Sequence, residues 1–301
     1  MEDRNLELAR EQIRSAGKAA SRLVVQTFFD ESTFTASHVA YDPTTRRAAI
    51  IDSVLDFDPD SGRASSRSAE AIVNFVEKEK LTVDYLLETH AHADHLSAAP
   101  FLQQKLGGKI CIGREIVTVQ TVFGKLFNFG SEFARDGSQF DALFADGDRF
   151  SLGEIPAIAL HVPGHTPADL AYVIGDALFM PDYGTARADF PGGDARQLYR
   201  SIRRLLSLPD ETRLFLCHDY KAPNRAGFAW ETTVANQRKA NVHVHDGVGE
   251  EDFVAMRVAR DKTLDLPHLI LPSVQVNVRG GRLPTPEANG RRYLKYPVDT
   301  L

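Results

Sequence analysis

The stretch Thr89-His90-Ala91-His92-Ala93-Asp94-His95 holds four potential metal ligands within six residues. It follows an apolar, β-prone run at residues 83–87 and precedes a segment, residues 96–106, whose apolar side chains have helical spacing. Three imidazoles and a carboxylate crowded at a strand end cost free energy unless each finds a partner. A metal ion is such a partner, so the stretch predicts a metal site at the end of a strand.

Three more potential ligands follow apolar runs elsewhere in the chain. His165 lies in the turn Pro163-Gly164-His165-Thr166, Asp182 follows residues 177–180, and His218 follows residues 213–217. Each of these alone could be a capping or turn residue. Together with the first stretch, they predict that several strand ends converge on one metal centre.

Composition limits the possible classes of protein. The chain has 301 residues, 43% hydrophobic and 25% charged, which is typical of a soluble globular protein. Its net charge of −6 disfavours a nucleic-acid partner. No apolar run approaches the roughly 18 residues that would span a membrane. Cys111 and Cys217 are too few for a disulfide framework, which favours a cytoplasmic location with both thiols buried.

The order of predicted elements favours an α/β sandwich of two mixed sheets with helices outside. An extended segment is predicted at residues 268–279, before a Gly/Pro-rich end, and a mixed helix and loop region at 114–145. The remaining predictions are strands at 23–29, 48–53, 83–87, 109–113, 150–152, 157–162, 170–174, 177–180 and 213–217, and helices at 1–22, 69–79, 96–106, 197–206, 230–241 and 250–262.

The ligand motifs resemble those of the metallo-β-lactamase superfamily. The stretch at 89–95, Gly-His-Thr at 164–166, Asp182 and His218 fill all seven usual ligand positions of that superfamily. The resemblance covers roughly residues 23–285 and implies an α/β (α+β type) fold, the αββα sandwich of two mixed β-sheets with helices on the outer faces. Residues 1–22 would then be an N-terminal helical extension, and 286–301 a C-terminal tail packed on the domain.

Finer features are similar to the persulfide (sulfur) dioxygenases. Residues 183–190 resemble the Gly-x-Gly-Arg-Thr-Asp-Phe segment of that family, and the combination looks most like its bacterial β-lactamase-like-hydrolase branch. Four positions depart from the usual pattern, and they concern substrate preference more than the metal: Pro181, Thr185, Ala186 and Ala188. Further matches lie at 198–202, 218–220, 232–241 and 264–281.

The dioxygenase resemblance implies one Fe(II) per chain, held by His90, His165 and Asp182. Two histidines and one carboxylate leave three coordination positions open, which suits binding of both O₂ and a substrate. The implied reaction oxidises glutathione persulfide, or a similar low-molecular-weight persulfide, to sulfite and thiol in sulfide detoxification. The other four ligand-type residues would orient ligands and waters around the metal: His92, Asp94, His95 and His218.

The alternative is a glyoxalase II-type dinuclear zinc thioesterase, or another hydrolase of this fold. That resemblance implies two zinc ions bridged by Asp182. One ion would be held by His90, His92 and His165, and the other by Asp94, His95 and His218. All seven side chains are present, so the sequence leaves the number of metals open. The extended segment predicted at 268–279 favours the dioxygenase, because a glyoxalase II would be expected to continue into a mostly helical domain.

Two more residues are candidates for the site. Arg187 is predicted to clamp a substrate carboxylate, the alternative being a structural ion pair with Asp189. Tyr220 is predicted to donate a catalytic hydrogen bond to bound substrate or oxygen, the alternative being a core tyrosine. The expected partners are glutathione persulfide and O₂, without nucleic acid or membrane, and homodimer formation is a further hypothesis.

Overall fold

The computed structural model describes residues 3–16, 23–172 and 179–298. The elements within these ranges are, in chain order, α1 (Arg4–Ala16), β1 (Val24–Asp30), β2 (Thr35–Tyr41), β3 (Arg47–Ile51), β4 (Val54–Asp58), β5 (Arg63–Ser65), α2 (Arg67–Lys78), β6 (Thr82–Leu87), β7 (Leu96–Ser97), α3 (Ala99–Leu106), β8 (Lys109–Gly113), α4 (Ile116–Leu126), β9 (Ala142–Phe144), β10 (Arg149–Leu152), β11 (Ile155–His161), β12 (Leu170–Tyr172), α5 (Ala195–Leu205), β13 (Arg213–Phe215), β14 (Glu231–Thr233), α6 (Val234–Ala240), α7 (Glu250–Asp261) and α8 (Ile270–Asn277).

The first layer of strands is a mixed, six-stranded sheet in the order β1-β2-β3-β6-β8-β9. Strands β1, β2 and β3 pair antiparallel, and β3, β6, β8 and β9 pair parallel. Ile50 of β3 packs with residues of α2, α3 and α4, while its neighbours Ala49 and Ile51 pack with residues of β10, β11 and β12. Successive side chains of a strand point to opposite faces, so both faces of this sheet are covered.

The second layer is formed by β10-β11-β12 and by the pair β13-β14. Apolar side chains on its outer face, including Ile158 and Leu160 of β11, pack with residues of α1, α5 and α7. The layers therefore run helix, sheet, sheet, helix. The predicted fold class, an αββα sandwich of the α/β (α+β) type, is confirmed. None of the described helices is long and apolar enough to cross a membrane.

Both chain ends contact this sandwich. In α1, Leu6 and Ala9 are buried in the outer cluster of the second layer. At the other end, the backbone of Lys295 exchanges hydrogen bonds of 2.8 Å with the side chain of Gln275 in α8. The described parts of the predicted extension at 1–22 and tail at 286–301 thus contact the sandwich, and residues 1–2, 17–22 and 299–301 lie outside the described ranges.

Most predicted elements are found within a few residues of their expected bounds, but the segment at 268–279 is wrong. It forms helix α8 instead of an extended segment. Alternating valines at 274, 276 and 278 favour a strand, yet residue 270 and residues 272–277 are all buried. Because every side of this helix is covered by protein, tertiary packing overrides the local preference of the β-branched residues.

Two smaller predictions also differ from the structure. The strand expected at 177–180 begins outside the described residues, and Phe179 and Met180 are not in a strand. The helix expected at 230–241 is divided into the short strand β14 and helix α6. Thr233, the N-cap of α6, accepts a hydrogen bond from the backbone N–H of Asn236, which accounts for the start of the helix at 234.

Candidate metal centre and cavity

His90 is oriented by a chain of buried hydrogen bonds that starts at Asp52, directly after β3. The carboxylate of Asp52 accepts hydrogen bonds from the backbone N–H and the hydroxyl of Thr89, at 2.8 and 2.9 Å. The Thr89 hydroxyl lies 2.9 Å from Nδ1 of His90. Because its proton goes to Asp52, this hydroxyl accepts from Nδ1–H of His90. Nε2 of His90 is then unprotonated and available to a metal.

Backbone carbonyls orient two more histidines in the same way. His165 Nδ1 donates to the carbonyl of Arg187 at 2.7 Å, and His95 Nδ1 donates to the carbonyl of Leu96 at 3.1 Å. Nε2 of His95 is buried and has no hydrogen-bond partner among the described residues. A buried nitrogen without a partner costs free energy that a metal ion would recover. The donor set therefore fits a metal site.

His92 has a different environment. Its side chain is fully buried, with Nε2 2.9 Å from Asp52 and Nδ1 3.8 Å from Asp94, but neither nitrogen has hydrogen-bond geometry. Burial acts to lower the pKa of His92, yet the Asp52 and Asp94 carboxylates outweigh it and raise the pKa well above the usual value. Burial and the Asp52 charge raise the pKa of neighbouring Glu88 to about 8. The His92 ring thus lies between the carboxylates of Asp52 and Asp94 at the base of the site.

The imidazole rings form one cluster. Ring centroids are 3.9 Å apart for His90 and His92, 4.9 Å for His90 and His165, 4.2 Å for His92 and His95, and 5.6 Å for His92 and His218. Burial and the neighbouring imidazoles lower the pKa of His90 well below its usual value and that of His95 to about 4. Both rings are therefore neutral at pH 7, the form that binds a metal.

Asp94 and His218 complete the cluster. Nδ1 of His218 lies 3.4 Å from Asp94, and the Thr35 hydroxyl lies within 3.5 Å of both. Burial acts to raise the pKa of Asp94, but the His218 and His92 side chains outweigh it and lower the pKa. The ligand atoms of His92, Asp94 and His95 all lie within 4.8 Å of one another.

Asp182, the third predicted iron ligand, forms an ion pair with Arg225. Its carboxylate accepts a hydrogen bond of 2.9 Å from Arg225, is 43% exposed and does not line the cavity described below. Arg225 also holds the buried Asp219 at 2.5 and 2.6 Å. The Asp182 carboxylate therefore has a guanidinium partner in this structure. Its role as a ligand stays a prediction.

A cavity of about 630 Å³ opens above the cluster. Four residues of the cluster form what we call the cavity floor: His90, Asp94, His165 and His218. The side chains of His92 and His95 do not line it. The segment 257–269, at the end of α7 and beyond, is called the cavity wall, and seven of its residues line the cavity: Arg257, Arg260, Leu264, Asp265, Pro267, His268 and Leu269. Aromatic rings from other elements complete the lining: Phe34, Phe57, Phe179, Tyr183, Phe190 and Tyr220.

The structure places both remaining candidates at this cavity. Tyr220 lies over His218, with ring centroids 5.9 Å apart and planes at 21°. Arg187 lines the cavity too, but its Nε and Nη2 donate to Asp189 at 2.6 and 2.8 Å. The ion pair with Asp189, the alternative in the sequence analysis, is therefore present. The predicted roles in catalysis and substrate binding stay predictions.

Two residues near the centre were not predicted to act there. Asn277 of α8 donates hydrogen bonds of 2.8 Å to the carbonyls of His92 and His95 and accepts one of 2.9 Å from the backbone N–H of Ser97. Asn277 thereby fixes the loop at residues 89–95, which we call the ligand loop. A polar residue within the apolar run 269–278 was the available signal, because a buried amide needs partners. The second residue is Cys217, whose Sγ lies within 4.8 Å of ligand atoms of His92 and His218.

The geometry agrees with comparisons to known proteins. The chain is 55% identical over 295 residues to a probable metallo-hydrolase of Burkholderia pseudomallei, covering 93% of this chain and all of that protein. It is 52% identical over 283 residues to a β-lactamase hydrolase-like protein of Agrobacterium fabrum, covering 92% of this chain but only 65% of that longer protein. It is 40% identical over 290 residues to Glyoxylase B2 of Dictyostelium discoideum, covering 94% and 99%.

A solved structure gives a further comparison. The crystal structure of ETHE1 from Myxococcus xanthus superimposes with a TM-score of 0.65 at 28% identity, covering 86% of this chain and all of that one. The family model described as the metallo-beta-lactamase superfamily matches residues 44–218, the span from the β2–β3 turn to the last histidine of the cluster. The chain belongs to the metallo-β-lactamase superfamily.

Proposed function

We propose that this chain is an iron-dependent persulfide dioxygenase acting on glutathione persulfide or a similar low-molecular-weight persulfide. One observation carries the proposal. His90 and His165 line the cavity, each with Nδ1 engaged and Nε2 left for a metal, whereas His92 and His95 are enclosed behind the floor. One substrate-accessible metal suits a mononuclear oxidation site. Similarity to the Myxococcus protein named ETHE1 supports the proposal.

The residues proposed to hold Fe(II) are His90, His165 and Asp182. The iron would supply one-electron chemistry that couples a persulfide sulfur to O₂. In the balanced reaction, a persulfide anion, O₂ and water give the free thiol, sulfite and one proton. Asp182 would have to exchange Arg225 for the metal, and Arg225 would keep its two hydrogen bonds to Asp219.

The rest of the cavity would bind and orient the substrate. Aromatic rings around the floor keep water from the reacting sulfur, with Phe190 5.3 Å from the His165 ring and Phe179 6.3 Å from the His218 ring. Tyr220, packed against His218, is the proposed hydrogen-bond donor to bound substrate. Asp94 and His218 would orient waters at the open positions.

A dinuclear thioesterase is the second candidate. The close grouping of His92, Asp94 and His95 offers a second set of ligands, and Glyoxylase B2 is 40% identical to this chain. The extended segment predicted at 268–279 was an argument against a thioesterase. That segment forms helix α8, so the chain after His218 is more helical than its sequence indicates and the argument no longer holds. This activity would need Asp182 to bridge two zinc ions.

Metal content and reaction products decide between the two. The iron-loaded protein should hold close to one iron per chain, consume O₂ with glutathione persulfide and release sulfite in about equal amount. It should release little thiol from S-lactoylglutathione. His90→Ala should abolish iron binding and O₂ uptake, whereas His245→Ala, at an exposed histidine outside the cluster, should change neither. Two tightly held zinc ions with rapid, O₂-independent thioester cleavage would assign the chain to the hydrolases.

A further inference from the structure

Three arginine side chains line the cavity, and the first of them is already occupied. Nε and Nη2 of Arg187 donate to the carboxylate of Asp189 at 2.6 and 2.8 Å, and Nη1 donates to the carbonyl of Asp265 at 2.7 Å. Every nitrogen of this guanidinium therefore has an acceptor within the chain. A substrate carboxylate would have to displace Asp189 to be held in bidentate fashion.

The second guanidinium, that of Arg257, is in an ion pair within the chain, although its Nη2 makes no hydrogen bond among the described residues. Its side chain is 1% exposed, and Nε and Nη2 lie 2.9 and 2.6 Å from Oδ1 of Asp261. Nη1 donates to the carbonyl of Thr185 at 3.2 Å. The other oxygen of Asp261 accepts a hydrogen bond from the backbone N–H of Ala188 at 3.0 Å. Arg257 and Asp261 thus act together to fix the segment that carries Arg187.

Arg260, the third, is different. It lies in the last turn of α7, one turn after Arg257, and its side chain is half-buried at the cavity. Among residues 3–16, 23–172 and 179–298, its guanidinium makes no hydrogen bond and no ion pair. Its neighbour is the ring of Tyr183, with 6.0 Å between the guanidinium carbon and the ring centroid. Its five N–H donors are therefore available to a ligand.

We propose that Arg260, in place of Arg187, binds a carboxylate of the substrate. A planar guanidinium with free donors matches a carboxylate in bidentate geometry. A single carboxylate is favoured over a phosphate, because four acidic residues also line the cavity and would repel a group that carries two negative charges: Asp56, Asp58, Asp94 and Asp265. The inference rests on the proposed function only in taking a carboxylate-bearing thiol compound as the substrate.

Binding of an unreactive ligand tests this without requiring turnover. The probes are S-methylglutathione and its dimethyl ester, measured by isothermal titration calorimetry on the metal-loaded protein. Arg260→Gln should weaken binding of S-methylglutathione by about tenfold or more, the usual size of one lost charge-assisted contact, and change ester binding little. Arg260→Lys should recover part of the loss. Arg238→Gln, at an exposed last-turn arginine of α6 outside the cavity, should bind both probes like wild type.

Several results would overturn the assignment. Wild-type affinity of Arg260→Gln for the acid, equal weakening for acid and ester, or no binding of the acid by the wild-type protein would each do so. Failure of the proposed function looks different: the acid would bind in an Arg260-dependent manner, but the protein would show no O₂ uptake with glutathione persulfide. Unchanged metal content in Arg260→Gln separates a ligand contact from damage to the floor.

Discussion

The cavity floor and the cavity wall are built in opposite ways. On the floor, the ligand histidines are oriented by buried partners, with Thr89 and Asp52 beneath His90 and the Arg187 carbonyl beside His165. On the wall, residues 262–266 and His268 are exposed, and the Arg260 guanidinium has no acceptor among the described residues. Buried partners hold the floor in one arrangement, whereas the exposed residues of the wall and Arg260 have room to adapt to a ligand. Metal chemistry and substrate choice are therefore separable by mutation.

The largest effect is expected on the floor. His165→Ala removes an imidazole that no neighbouring group can replace, so metal binding should be lost and activity should fall by about a thousandfold or more. Metal analysis after gel filtration and O₂ uptake would measure this. Arg260→Gln should keep its metal. If His165→Ala retained a full complement of metal, His165 would not be a metal ligand.

The second-largest effect is expected at Asn277, which supports the loop beneath the floor. In Asn277→Asp, a carboxylate would replace the amide that donates to the His92 and His95 carbonyls, so oxygen would face oxygen. Unfolding free energy should fall by about 2–4 kcal/mol, and metal affinity by about 10- to 100-fold. Urea unfolding and metal competition would measure the two effects.

A matched control for this change lies outside the floor. Gln120→Glu also alters a buried amide, one that donates to the Val278 carbonyl and accepts from the backbone of Gly137. It should cost stability without a comparable loss of metal affinity. If both variants lost metal equally, the role of Asn277 would be general stability and not support of the ligand loop.

A pH effect of intermediate size is expected from His38, a buried histidine outside the floor. Burial lowers its pKa to about 4, and Nε2 donates to the Leu216 carbonyl at 3.0 Å. The unfolded chain takes up a proton near pH 6.5, but the folded chain does so only near 4. Stability should therefore fall as the pH drops from about 6.5 to 4, by up to about 3 kcal/mol from this residue.

The comparison of wild type with His38→Gln isolates that contribution, because protonation of the floor histidines is common to both proteins. Urea unfolding of the metal-free proteins between pH 4 and 7 should give a shallower pH dependence for the variant. Parallel curves would show that His38 is not neutral in the folded protein or that another group compensates.

The smallest effect is expected at the tail. The Lys295 ammonium donates to the Asn128 carbonyl at 2.6 Å and is exposed to solvent, so Lys295→Ala should cost less than about 1 kcal/mol. Metal content should not change. Thermal unfolding would check this, and a loss as large as that of Asn277→Asp would mean that the tail supports the floor through Gln275 and α8.

Much of the fold and the floor could be predicted from sequence because the signals are local. His90, His165 and His218 lie in the loops directly after β6, β11 and β13, and the sequence shows each of these strands as an apolar run followed by a ligand. Helix α8 was mispredicted for the opposite reason. Its valines have a strand-like pattern, and only its burial on all sides makes it a helix. Asn277 was missed along with it.

The sequence by itself determined the αββα sandwich and the histidines of the floor, because apolar periodicity and ligand spacing are written in short segments. Tertiary structure alone decided which charged groups find partners far along the chain. The spacings of Arg187 to Asp189 and of Arg257 to Asp261 already allow local ion pairs, but only the fold brings the Asp265 carbonyl to Arg187 and leaves the Arg260 guanidinium without an acceptor among the described residues. Whether a charged side chain meets a distant acceptor depends on which groups long-range packing brings within about 3 Å, and no local pattern carries that distance.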